Sequence, residues 1–261
     1  MPLGTYWLLA CADALFKVIE SNETNNCRAP AATVLVALPD LVTTAVSDPP
    51  AQRAPGTKIT ISDTVQNAGT ATAGASTSRY YLSSDTTKDS GDVLLTGTRA
   101  VAILAPLATS SGSKSVTIPL TTAPATYHVL ACADDLLKVK EPNEANNCAA
   151  SAGTILIGWP DLVTTAVSNT PATVAPGGKF TITDSVQNQG NVLAGASTTR
   201  YYLSLDTVKN AGDVLLTGTR TVVSLAAGAT STGSKLVTVP LGAPAGTYYV
   251  LTCADDLLKV G

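Results

Sequence analysis

The chain has 261 residues, of which 45% are hydrophobic, 13% charged and 5% aromatic, with a formal net charge of -3 and one histidine. A charged fraction about half of the ~25% usual in soluble domains leaves no basic stripe to neutralise phosphates, which excludes nucleic acid as a partner. The apolar fraction is large enough to bury cores, which excludes general disorder, and no apolar run approaches the ~18 residues of a membrane span.

Self-similarity organises the chain. PDLVTTAVS occurs at residues 39–47 and 160–168, RYYLS begins at Arg79 and Arg200, GDVLLTGTR at Gly91 and Gly212, and CADDLLKV at Cys132 and Cys253, each pair 121 residues apart. The same offset places Cys11, Ala12 and Asp13 under Cys132, Ala133 and Asp134. This register predicts three domains. Residues 1–38 are the C-terminal part of a truncated repeat, 39–159 a complete repeat, and 160–261 a repeat lacking its last strand. The period exceeds the roughly 20–50 residues of a solenoid turn and has the size of an independent domain. Proline in the short junctions ALPD (37–40) and GWPD (158–161) fixes φ and predicts semi-rigid connections.

In chain order, residues 6–11 read as a strand and 33–37 as the closing strand of the first fragment. Leu8-Leu9-Ala10-Cys11 resembles a lipoprotein cleavage site, but its alignment with 127–132 and the lack of a basic leader argue for a strand. In the central copy the expected strands are 40–47, 78–83, 98–104, 114–119, 126–133 and 154–157. A further strand is read where Ile59, Ile61 and Val65 alternate with Thr60, Ser62 and Thr64. Clusters such as Ala54-Pro55-Gly56 and Asn67-Ala68-Gly69 separate these runs. About seven short strands in roughly 120 residues predict an all-β fold of tandem immunoglobulin-like or fibronectin-like β-sandwich repeats. Tyr248, with Tyr127 and Tyr6 in register, follows a Pro and Gly segment in the manner of a tyrosine corner.

Cys11 and Cys27 match Cys132 and Cys148, both pairs 16 residues apart, which predicts the disulfides Cys11–Cys27 and Cys132–Cys148. Cys253 is left single because its matching partner position falls past Gly261. Closing a loop of this size contributes roughly 3 kcal/mol in the chain-entropy model. Persistent disulfides need an oxidising compartment, so the expected location is extracellular or at the cell surface.

The richest polar cluster lies between the second pair of cysteines. Asp134, Glu141, Asn143, Glu144, Asn146 and Asn147 offer the hard oxygens that calcium prefers. Asp13, Glu20, Asn22, Glu23, Asn25 and Asn26 repeat the set. The other reading is a hairpin whose Asx side chains cap turns by bonding backbone amides. A second acidic stretch, 85–92, reads as a solvated turn, and its counterpart keeps only Asp206, Asn210 and Asp213. His128 is the only imidazole, and Trp7 and Tyr249 stand at its matching positions, which speaks against a general base. Tyr80-Tyr81, Tyr201-Tyr202 and Trp159 would suit sugar stacking, but strand alternation sends paired tyrosines to opposite faces.

Together PDLVTTAVS, TVQNAG (64–69), RYYLS, GDVLLTGTR and CADDLLKVKEPNEANNC resemble the CARDB repeat, the cell-adhesion-related domain found in bacteria. The most distinctive part is the ending from Asp134 to Asn147. The resemblance implies extracellular immunoglobulin-type modules of large surface or secreted bacterial proteins, with adhesion or spacing roles and no enzymatic activity of their own. The expected partners are neighbouring repeats and a cell-surface protein or glycan. For the incomplete repeats two readings stand: head-to-tail self-association by strand donation, or unpaired edges that aggregate or fray. The alternative is an accessory carbohydrate- or calcium-binding module of a larger exported enzyme.

Overall fold

The computed structural model of the protein describes residues 2–168 and 170–260, and among them every regular element is a strand. At the start, β1 (Gly4–Trp7) pairs with β4 (Thr33–Val36), and β2 (Ala10–Cys11) pairs inside them with β3 (Cys27–Arg28). Eight strands follow: β5 (Leu41–Val46), β6 (Gln52–Arg53), β7 (Lys58–Asn67), β8 (Ser76–Ser83), β9 (Val93–Val101), β10 (Thr109–Thr117), β11 (Ala125–Cys132) and β12 (Cys148–Ile157). They hydrogen-bond in the order β5-β7-β10-β9-β8-β11-β12-β6. The last six are β13 (Leu162–Ser168), β14 (Lys179–Asn188), β15 (Ser197–Ser204), β16 (Val214–Val222), β17 (Thr230–Thr238) and β18 (Tyr249–Cys253). Their order, β13-β14-β17-β16-β15-β18, reproduces the first six positions of the preceding set.

Between β16 and β17 the ladder narrows to the pair Thr217↔Thr238. On either side of this corner lie two layers whose apolar faces meet. Phe180 and Ile182 of β14 and Val237 of β17 pack with Tyr201 and Leu203 of β15 and Leu216 of β16. This is the β-sandwich expected from the strand count. The chain divides into two compact units. One comprises Met1–Ser47, Thr60–Val116 and Val129–Ala152, the other Asp48–Ile59, Thr117–His128 and Gly153–Gly261.

Strand alternation sets what each strand buries. Along β7, Ile59, Ile61, Asp63, Val65 and Asn67 point inward. The outward hydroxyls of Ser62 and Thr64 hydrogen-bond across to Ser113 at 2.7 Å and Ser111 at 2.8 Å. This hydroxyl ladder explains why β10 begins at Thr109 and not near Lys114: its first half carries no apolar alternation to read. Strand β9 likewise begins earlier than expected, at Val93, and Leu104 leaves it to form an isolated bridge with Ala73. Sequence reading missed β6, which pairs parallel to β12 through Gln52 and Arg53.

Two polar inward residues of β7 have distinct roles. Asn67 is fully buried and uses its whole hydrogen-bonding capacity. Its Oδ1 accepts from the amides of Asp40 and Gly69, both at 3.1 Å, and its Nδ2 donates to the carbonyls of Ala71 at 2.8 Å and Leu104 at 3.0 Å. Asn188 makes the same four bonds to Asp161, Gly190, Val192 and Leu225. Beside the first latch only glycine fits, since a Cβ on Gly69 would lie 2.6 Å from backbone atoms of Leu38, Pro39 and Asp40. Asn67→Ala strips partners from four backbone groups, and we expect it to cost at least ~2 kcal/mol in urea unfolding.

Asp63, 3% exposed, is the centre of a buried ion pair. It receives the Arg99 guanidinium, with Nε at 2.8 Å, and the hydroxyls of Tyr80 at 2.7 Å and Ser78 at 3.3 Å. Arg99 completes its set on the hydroxyl of Ser110. Asp184, Arg220, Tyr201 and Ser231 form the same network one period later.

The three register-matched tyrosines each bond backward along the chain. Tyr127 donates to the carbonyl of Ala123 and Tyr248 to that of Pro244, both at 3.0 Å, and Tyr6 to that of Pro2 at 2.8 Å. The buried tyrosines behave differently. Burial first, then the carboxylates of Asp63, Asp135 and Asp184, push the phenols of Tyr80, Tyr81 and Tyr201 well above their ordinary value. A raised folded-state value means that this stability is complete below about pH 10 and is lost as pH climbs toward the folded-state value. Urea midpoints should therefore hold level from pH 8 to about 9.5 and fall steeply by pH 11, whereas a flat profile would remove these phenols from the stability balance.

Candidate functional site

The loop between β11 and β12 is closed by the Cys132–Cys148 disulfide, with 4.0 Å between the two Cα atoms. It is also tied at its base. Both the Ala133 amide, at 2.9 Å, and the Thr43 hydroxyl, at 2.7 Å, donate to the carbonyl of Asn147. A second disulfide joins Cys11 to Cys27. Cys253 is free and half-buried, and burial, then the Asp256 charge, push its thiol up. Without reductant we expect one slow alkylation among the five cysteines, and all five should react after reduction and unfolding.

The loop takes an unusual backbone path. Asp134 and Leu137 adopt left-handed conformations, with φ of 41° and 50°. Asp13 and Phe16, and Asp255 and Leu258, repeat them within a few degrees. Aspartate tolerates this region because its carboxylate bonds nearby backbone. In the outer copies both oxygens do so: Asp13 holds the amides of Lys17 and Val18, and Asp255 those of Lys259 and Val260. Asp134 holds the Val139 amide through Oδ2 alone. The bend turns Leu136 and Leu137 outward at 48% and 66% exposure.

The six candidate ligands separate into two groups. Asn143 caps the Ala145 amide and Glu144 the Glu141 amide, both at 3.1 Å, as in the Asx-capped hairpin reading. The other four carry buried atoms without partners. These are Oδ1 of Asp134, both carboxylate oxygens of Glu141, Oδ1 of Asn146, and both amide atoms of Asn147. Asn146 donates to the carboxylate of Asp40 through its Nδ2. Burial, aided by the charges of Glu144 and Asp134, pushes the Glu141 carboxyl up to about 7. The Leu41 amide and the Asn147 side chain face that carboxylate and oppose the shift, yet neither completes a hydrogen bond with good geometry. In the first copy Glu20 is exposed and Asn26 donates to Glu23. Among the described residues no three His, Cys, Asp or Glu side chains gather as a metal group, so any cation here would draw on amide oxygens.

The other acidic residues form turn caps and ion pairs. In the stretch 85–92, Asp85 caps the Thr87 amide, Asp89 that of Gly91 and Asp92 that of Asp89. Lys88 reaches out of this turn to Asp135, which also receives Tyr81 Oη at 2.6 Å and Arg79 at 3.2 Å. Asp256 gathers Lys209, Tyr202 and Arg200 in the same way. In the sequence Asp135 is only one member of an acidic run, because its partner Tyr81 lies 54 residues away and leaves no local signal. Tyr80 and Tyr81 bond different carboxylates and are buried, so they offer no stacking platform. His128 is half-buried on β11, while Trp7 and Tyr249 at its matching positions are exposed.

The chain matches the CARDB family model over residues 38–151 and 159–260. It is similar in structure to the CARDB domain of a Pyrococcus furiosus protein, crystallised in complex with di-metal ions, at 22% identity and a TM-score of 0.32. That alignment covers 46% of this chain and 89% of the other. A solution structure of the same Pyrococcus furiosus domain gives 22% identity and a TM-score of 0.32, covering 47% of this chain and 97% of the other. No curated protein matches the chain in sequence. Among the described residues no helix is long and apolar enough to cross a membrane. The matched segments contain both asparagine latches and both buried ion pairs and take in most of the chain, which therefore belongs to the CARDB family.

Proposed function

We propose that the chain is a non-enzymatic extracellular module in which CARDB sandwiches serve as adhesion or spacer units of a bacterial surface or secreted protein. The observation that carries this reading is tandem repetition: two matched family segments with one internal architecture, built from the same latch and ion pair. The repeat boundaries proposed with it are 1–38, 39–159 and 160–261. Two disulfides support an oxidising setting. Membership in a non-catalytic domain family supports the absence of chemistry in these repeats.

The exposed leucine pairs on the left-handed loops, Leu136-Leu137 and Leu257-Leu258, are the natural contact points for adhesion. The test is bead retention. Beads coated with the full chain are passed over bacterial and host-matrix surfaces, beside a chain carrying serine at all four leucines. Adhesion predicts retention that the serine chain loses. Retention by neither chain assigns a spacing role, and reproducible saccharide binding on a glycan array would replace both readings with the accessory carbohydrate module.

A further inference from the structure

Buried polar atoms without partners are concentrated in one place in this molecule. Among the described residues, those outside the loop closed by Cys132–Cys148 are all hydroxyls, on Ser76, Thr122, Ser197, Thr199 and Thr252. A hydroxyl can rotate toward a water or a carbonyl. Inside the loop the unpaired atoms are five oxygens, from Asp134, Glu141, Asn146 and Asn147, and the single nitrogen of Asn147. The Asn147 nitrogen is the one amide donor among them, so five oxygens that accept cannot all be satisfied from within the group. Asp134 is fully buried, Glu141 is 6% exposed and Asn147 5%. The Asp134 charge raises and the Asn147 side chain lowers the affinity of the Glu141 carboxyl for its proton. Such a group calls for something electropositive.

We propose that Glu141, Asn147, Asn146 and the unpaired oxygen of Asp134 bind one hard divalent cation, calcium by the all-oxygen donor set. Two carboxylates with neutral amide oxygens and water suit a large, flexibly coordinated ion and place the affinity in the weak class of extracellular modules, roughly 10⁻⁴–10⁻³ M. Asn143 and Glu144 shape the loop through their amide caps and lie outside the donor set. The first copy provides an internal contrast, because its matching Glu20 is exposed to water and needs no ion. The ion would also join the loop to the start of the repeat through the bond from Asn146 to Asp40. This assignment is independent of the adhesion reading and can fail without it.

The test uses the full chain stripped with EDTA and titrated with calcium chloride to about 10 mM by calorimetry, with thermal unfolding in parallel. One bound calcium and a rise in melting temperature reversed by EDTA are expected. Glu141→Gln should weaken binding at least tenfold, and Glu20→Gln should leave it unchanged. Asn147→Asp, which adds a negative oxygen at the same place, should tighten binding and keeps the proposal testable if Glu141→Gln fails to fold. A flat wild-type titration with an unmoved melting temperature would overturn the proposal and leave these oxygens to buried water. Loss of binding in Glu20→Gln would overturn it equally.

Discussion

Asp63→Ala is expected to lower stability by about 3–5 kcal/mol, because it leaves the Arg99 guanidinium, 8% exposed, without its counter-ion in the interior. It also removes the acceptor of the Tyr80 hydroxyl. A double replacement, Asp63→Leu with Arg99→Met, should cost much less than Asp63→Ala alone, since removing both charges leaves neither stranded. Two compact units make two unfolding transitions the expectation. Asp63→Ala should shift one of them in urea, and Asp184→Ala the other. Equal losses from the single and double variants would mean that side-chain packing, and not the unpaired charge, dominates.

Removing the central disulfide should have the next largest effect. Cys132→Ser with Cys148→Ser opens a loop whose ends are 16 residues apart, worth roughly 3 kcal/mol by chain entropy. The serine at 132 also places a hydroxyl where the native sulfur is fully buried. Accessibility then orders the two bridges under mild reductant. Cys11 and Cys27 are exposed, so their bond should open first, with Cys132–Cys148 resisting until the surrounding strands unfold. Mass spectrometry of trapped thiols at increasing dithiothreitol reads this order, and simultaneous opening would contradict it.

Much of the architecture is written in local alternation. Ile59, Ile61 and Val65 announce β7, and the matched 16-residue spacings announce both disulfides. The same alternation carries a further signal that is easily passed over. Asp63 falls on the apolar side of β7, and an inward carboxylate demands a buried cation, which the sequence supplies as Arg99. Strand β6 gives no such warning, because two polar residues become a strand only by pairing with distant β12. The acidic loop is legible as an oxygen-rich cluster, but its division of labour is not. Nothing local distinguishes Glu144, which caps a backbone amide, from Glu141, which is buried beside the Leu41 amide. Burial of that kind is decided by a strand about a hundred residues earlier in the chain.

The asparagine latch has a further consequence. Every group that Asn67 holds, from Asp40 to Leu104, belongs to one copy, and every group that Asn188 holds, from Asp161 to Leu225, belongs to the next. Neither copy borrows a polar contact for its latch from its neighbour, so duplication or loss of a period at the gene level leaves the remaining latches intact. The reach of such a protein can therefore change by whole copies in a single genetic event, without compensating substitutions inside any of them.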